Sequence, residues 1–268
     1  MLALPGGREP GFGVPLQGRL PIVPDLLPLA LASGLVFLAA IVRGYSGFGF
    51  SLLAITSLSL FFPPAQVIPA IFMLEIAASL HMLPSIWRDV HWRSLGFLLA
   101  GTVLGTPIGV YVLATVPQAP MTLALAVFVL VATVLLWRGF ALKSMPSAPA
   151  TFAVGTATGL ANGAFGIGGP PVILFYFASP AGHAVGRASL VAFFIMTDVT
   201  GLLFLSREGL VTRGSLLMGL AFLPALAAGV WLGARLFRHA DPAVFRKIVL
   251  VILACLALLT AAKAVMAF

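Results

Sequence analysis

The stretch RGYSGFGFS, Arg43 to Ser51, sets an arginine and three glycines inside a run that is otherwise apolar enough to be a membrane helix. Glycine costs about 1 kcal/mol against alanine in a helix interior, and a charge at the centre of a membrane span about 2.5–3.5 kcal/mol. A chain that keeps both at one place interrupts a helix there, and the surrounding sequence says what the interruption is for.

Composition fixes the class. The 268 residues are 61% hydrophobic and 8% charged, with a mean hydropathy of +1.14; no water-soluble fold of this length has such values. The chain reads as an all-α, polytopic integral membrane protein. Its formal charge of +8 is spread singly or in pairs between apolar segments, with no basic stripe, so the basic residues are topology signals and no nucleic-acid partner is expected. A single cysteine, Cys255 in an apolar run, makes neither a disulfide framework nor a CxxC site. Residues 1–25 are rich in Gly and Pro and carry both charge signs, unlike a secretory signal or transit peptide, and read as a flexible tail.

Apolar runs follow at 26–44, 50–62, 65–86, 94–115, 119–138, 149–163, 170–179, 184–205, 212–235 and 244–264. Six, those starting at 65, 94, 119, 184, 212 and 244, have the about 20 residues that cross about 30 Å of hydrocarbon, and 26–44 falls just short. Runs 50–62, 149–163 and 170–179 are short and lie beside glycine-rich breaks, the pattern of discontinuous helices or re-entrant hairpins.

Comparison of the chain with itself relates the breaks. Shifted by 119 residues, Arg43 to Ser51 falls on NGAFGIGGP, Asn162 to Pro170, so that Gly44, Gly47 and Gly49 meet Gly163, Gly166 and Gly168. Shifted by 123, Glu75 meets Asp198; by 124, Gly105 and Gly109 meet Gly229 and Gly233. Two repeats are expected, each a glycine-broken helix pair followed by three spanning helices. They occupy 26–138 and 149–268, with a linker at 139–148.

Orientation follows from lysine and arginine placement. If each broken pair returns to the side it came from, the repeats are inverted, with Arg88, Arg93, Arg138, Lys143, Arg187, Arg235, Arg238, Arg246 and Lys247 inside. Discounting the tail and the helix-end Lys263, only Arg207 and Arg213 then lie outside. Parallel repeats divide the same residues almost evenly, so the inverted arrangement is favoured.

Interrupted helices at matching positions of internal repeats point to a secondary transporter's binding site. Broken backbone survives at membrane depth only where it is buried in protein or lines a polar cavity. A helix restarting there, at Phe50-Ser51 or Pro170-Pro171, presents free N–H groups and a positive dipole end to an anion. The two prolines remove donors from the second tip.

RGYSGFGFSLLAI, NGAFGIGGPPVILFYF, AVGRASL (Ala184 to Leu190) and GVWLGARLF together resemble the TauE/SafE family of sulfite and organosulfur-anion transporters, over almost the whole chain from about residue 26. The resemblance implies a multi-pass bacterial inner-membrane transporter of sulfite, thiosulfate, sulfonates or related anions, in export or uptake, with the lipid bilayer and a small anion as partners. The family's glycine motifs fall on Gly47, Gly49, Gly166, Gly168 and Gly169, and the hydroxyl of its glycine-threonine-serine motif on Ser189. Phe50 stands where many members have another glycine and Arg187 where threonine is common.

The candidate site gathers both breaks. Arg43, whose fork suits a pair of sulfonate or sulfite oxygens, either contacts the anion or pairs with Glu75. Glu75 and Asp198 are either carriers of a coupling proton or structural counter-ions for Arg43 and Arg187. Arg187 is either an interface side chain or a second anion contact. Tyr45, Ser46, Gly47, Phe48, Gly49, Phe50 and Ser51 line the first tip; Asn162, Gly166, Ile167, Gly168, Gly169 and Pro170 line the second. The hydroxyls, Tyr176 and Asn162 bind either an anion or freed backbone. His81 is either a packed helix residue or a relay. The glycines Gly101, Gly105, Gly109, Gly229 and Gly233 form small-xxx-small packing rows. No metal site or cofactor is expected, since the four histidines have no ligand spacing. An enzyme is disfavoured, as Ser51 and Ser189 have no suggestively spaced histidine. The alternatives are an anion channel or a transporter of a non-sulfur carboxylate, and a homo-oligomer is compatible with either. Alternating access is expected from one repeat moving against the other.

Overall fold

The computed structural model describes residues 26–139, 144–178, 180, 182–236 and 242–266. The expected tail at 1–25 and part of the linker lie outside the described residues. The described chain is a series of helices: α1 (Leu26–Ser46), α2 (Phe50–Leu58), α3 (Pro64–Ile86), α4 (Trp92–Thr115), α5 (Gln118–Arg138), α6 (Ala148–Phe165), α7 (Gly169–Ala178), α8 (His183–Arg207), α9 (Arg213–Leu236) and α10 (Pro242–Val265), with a 3-10 turn at Trp87–Asp89 between α3 and α4. Among the described residues there is no strand.

Among the described residues seven helices, α1, α3, α4, α5, α8, α9 and α10, are long and apolar enough to cross a membrane, one more than run length suggests. The helices continue past the apolar runs into flanking polar residues, and α3, α4 and α9 run through internal prolines. The nine residues of α2 span about 14 Å at 1.5 Å per residue, half a bilayer.

Both breaks turn on a left-handed glycine at the same matched position. Gly47 has φ 82° and Gly166 φ 68°, a region that a Cβ makes costly. Each closes the preceding helix in the same way: the Gly47 N–H donates to the Arg43 carbonyl at 2.7 Å, and the Gly166 N–H to the Asn162 carbonyl at 2.9 Å.

Helix packing exchanges the elements that the expected repeats would match. α1 lies along α9, while α6, the expected counterpart of α1, lies along α4, the expected counterpart of α9; α3 packs on α8 and α5 on α10. Glycine permits two close approaches. Gly101, Gly105 and Gly109 of α4 interlock with Gly155, Gly159 and Gly163 of α6 so tightly that a methyl group on any of the six would collide with backbone of the other helix. Thr102 Oγ1 donates across this seam to the Gly155 carbonyl at 3.0 Å. Gly44 of α1 similarly abuts the Val230 carbonyl, and Gly229 and Gly233 of α9 abut Phe37 and Ile41. With lipid as apolar as leucine, such close packing, rather than expulsion of water, holds helices together.

Two apolar clusters fill the interior. One joins Phe50, Ile55, Ile68 and Ile71 to Phe222 and Leu253; the other joins Leu95 and Leu98 to Tyr176 and Phe193. α10 also closes the C-terminal end of α2, where Lys263 Nζ donates to the Leu60 carbonyl at 2.5 Å.

Candidate functional site

Arg43 lies on the last turn of α1 and is fully buried. Its Nη1 donates to Glu75 Oε1 at 2.6 Å, forming an ion pair, and its Nη2 donates to Ser79 Oγ. Glu75 and Ser79 are one helical turn apart on α3, so they share a face and receive the guanidinium together. Across the break, Ser51 of α2 donates to Glu75 Oε2. One carboxylate therefore clasps both helix ends of the first interruption and ties them to α3. Burial of a charge in protein is tolerated where it is paired and hydrogen-bonded, and Glu75 provides both.

The second break repeats the scheme with neutral chemistry. Asn162 of α6 hydrogen-bonds the Asp198 carboxyl of α8, and its Nδ2 donates to the Thr197 carbonyl at 3.3 Å. Asp198 is 2% exposed, lies within electrostatic reach of both Glu75 and Arg43, and has no hydrogen-bond partner at Oδ2. Phe194, one turn before it on α8, has its ring 5.7 Å from the Arg43 guanidinium carbon. The same ring borders Gly169 at the start of α7. Both breaks and both acids thus meet around α3 and α8.

The other expected residues divide into three groups. Ser46 serves its own loop: Oγ lies 2.8 Å from the Val42 and Phe48 carbonyl oxygens and accepts from the Phe48 N–H at 3.3 Å. Tyr45, Phe50, Ile167 and Pro170 are buried, Phe50 and Ile167 within the first apolar cluster; Phe48 packs against the second. Gly49 is left-handed at φ 86°, Gly166 abuts Ile55 and Ile68, and Gly168 rests on Asn162 and Thr158. The half-buried Arg187 extends from α8 across Gly47, where a Cβ would lie 2.9 Å from its Nε.

Ser189 is turned elsewhere. Its Oγ accepts from the His91 N–H at 2.9 Å and is hydrogen-bonded to Tyr176, whose hydroxyl lies 3.0 Å from Ser94 Oγ. It pins α8 to the α3–α4 connection, about 13 Å along the helix from Asp198 at 1.5 Å per residue. The His81 side chain lies outside the described residues. Ser79, Phe194 and Thr197 belong to the site without having been expected from sequence; only Ser79 carried a signal, four residues after Glu75 in EIAAS. Among the described residues no group of three His, Cys, Asp or Glu is placed to hold a metal.

The sequence profile of the sulfite exporter TauE/SafE family matches residues 32–260. A probable sulfite/organosulfonate exporter, TauE, from Cupriavidus necator is 27% identical over 232 residues, covering 83% of this chain and 90% of that protein. No solved structure matches.

Proposed function

The chain belongs to the sulfite exporter TauE/SafE family, and from that membership we propose that it is a secondary transporter of a small sulfur-containing anion, whether sulfite, thiosulfate or a sulfonate, coupled to a proton or other ion gradient. It is a multi-pass protein of the bacterial inner membrane. One observation carries the mechanism: a single ring, Phe194, borders Arg43 of the first break and Gly169 of the second, with Glu75 paired to Arg43 and Asp198 one helical turn along α8. Matched breaks that share an interior with ionisable groups are what a carrier needs at its midplane.

In this reading Arg43 holds the first break in shape, because Glu75 and Ser79 already take its terminal nitrogens. The anion is placed at the Gly47 turn, which Arg187 crosses, together with the N–H groups in the first turn of α2. The second tip, with Pro170 and Pro171, has fewer donors and supplies shape. The exchanged packing of matched helices supports two equivalent repeats, and the distribution of basic residues favours their inversion. The name of the Cupriavidus necator relative favours export of sulfite or organosulfonates.

Counterflow in proteoliposomes tests the reading. Preloaded sulfite, thiosulfate or one of a panel of sulfonates is expected to accelerate uptake of the labelled anion. A channel would pass anion without acceleration, and failure across the whole panel would remove the sulfur-anion assignment.

A further inference from the structure

Resting on the transporter reading, we infer that the two matched acids divide their labour: Arg43–Glu75 is a fixed ion pair, and Asp198 alone binds the exchangeable proton, one for each anion carried.

The division follows from how the two halves differ at equivalent positions. Where the first half has an arginine on its acid, the second has Asn162 on Asp198. A guanidinium has donors and no acceptor, so it engages its carboxyl as an ion pair. An amide is neutral and hydrogen-bonds a carboxyl in either protonation state. Both Glu75 oxygens are engaged, by Arg43 and by Ser51, whereas Asp198 Oδ2 is buried and open. Charge counting agrees: one guanidinium faces two carboxyls, so the cluster has room for one more positive charge.

The groups around Asp198 define what that charge is. Glu75 faces it from α3, Arg43 from α1 and Asn162 from α6. α4 and α7 bring Arg93, Tyr111 and Tyr176, of which Tyr176 is bonded to Ser94; the 3-10 turn brings Arg88 and Asp89. Along α8 itself, Arg187 and Arg207 lie roughly 16 and 13 Å away. Asn162 turns an N–H toward Asp198 and its oxygen toward Gly168. The open acceptor is therefore a single carboxyl oxygen, which suits a proton, while a metal cation takes several oxygen ligands. The proton adds to Oδ2 on one side of the membrane, forming an O–H, and leaves from it on the other.

Infrared spectroscopy of the reconstituted full chain, isotope-labelled at either the aspartate or the glutamate carboxyl, tests the assignment. The buried carboxylic-acid band that responds to pH is expected to move with the aspartate label and to vanish in Asp198→Asn. Should that variant fail to fold, Asp198→Glu is expected to transfer the band to the glutamate label. In proteoliposomes with the membrane potential clamped at zero, one proton per anion gives about tenfold accumulation per pH unit; Asp198→Asn is expected to abolish accumulation and Asp198→Glu to restore it. A band that follows the glutamate label in the wild-type chain, roughly hundredfold accumulation per pH unit, or accumulation driven by sodium would overturn the inference. If the wild-type chain exchanges none of the panel anions, the transporter reading fails, and the labelled band still decides whether Asp198 binds the proton.

Discussion

Arg43 and Arg187 are both arginines near one glycine turn, and their surroundings give them different work. Arg43 is enclosed and ion-paired; Arg187 is half-buried and crosses the turn itself. Breaking a buried ion pair by removing one member costs about 3–5 kcal/mol, and losing a hydrogen bond to a charged group about 1.5–3 kcal/mol. Arg43→Leu is therefore expected to lower the melting temperature in detergent more than Ser51→Ala; the reverse order would show that Glu75 does not depend on its arginine. Arg187→Thr is expected to raise the transport KM by roughly tenfold to a hundredfold, the loss of one charge-assisted bond. An unchanged KM would assign Arg187 to the interface. The matched acids were legible in the sequence because the self-comparison superposes Glu75 on Asp198 directly. The partner of Arg43 was legible only as one of two alternatives, since a repeat shift does not say which helix faces meet. Ser189 shows the same limit: a motif locates a residue along a helix, and packing then turned it toward the His91 N–H.

At the scale of elements, glycine has two separate uses that the substitution to alanine distinguishes. At Gly96 on α4 nothing lies within 4 Å of a Cβ, so Gly96→Ala is expected to stabilise by the helix-propensity gain of about 1 kcal/mol. At Gly159 the same change drives a methyl group into Thr102 and Thr106 backbone, and overpacking of about 1–3 kcal/mol or more outweighs that gain. Thermal unfolding of the two variants should move in opposite directions. The α4 glycine row was read from its spacing of four. Its partner row on α6, Gly155, Gly159 and Gly163, has the same spacing in GTATGLANG, but that run is short and ends at the break, so its glycines read as part of the interruption.

For the whole molecule, the inverted and parallel arrangements disagree about the connection between α8 and α9. In a Cys255→Ser background, Arg207→Cys is expected to react with a membrane-impermeant thiol reagent added to intact cells, while Arg88→Cys reacts only after the membrane is opened. Labelling of Arg207→Cys only from the inside would require parallel repeats. The number of elements and the two breaks could be read from hydropathy and self-similarity, which are properties of a single chain segment. The exchange of partners could not, because it depends on which grooves fit which ridges across the fold.

That exchange has a mechanical consequence. The teeth of the α4–α6 rack are four residues apart, about 6 Å, and any smaller slip drives a side chain into the opposite backbone; α1 and α9 are meshed by the same device. Each of these planks is glued from one early helix and one late helix, so the chain is braided and its halves cannot part along the boundary between them. In the transporter reading, rocking is expected to keep the planks whole and to pivot where the meshing stops, at the α3–α8 and α5–α10 contacts, rather than to swing one repeat against the other.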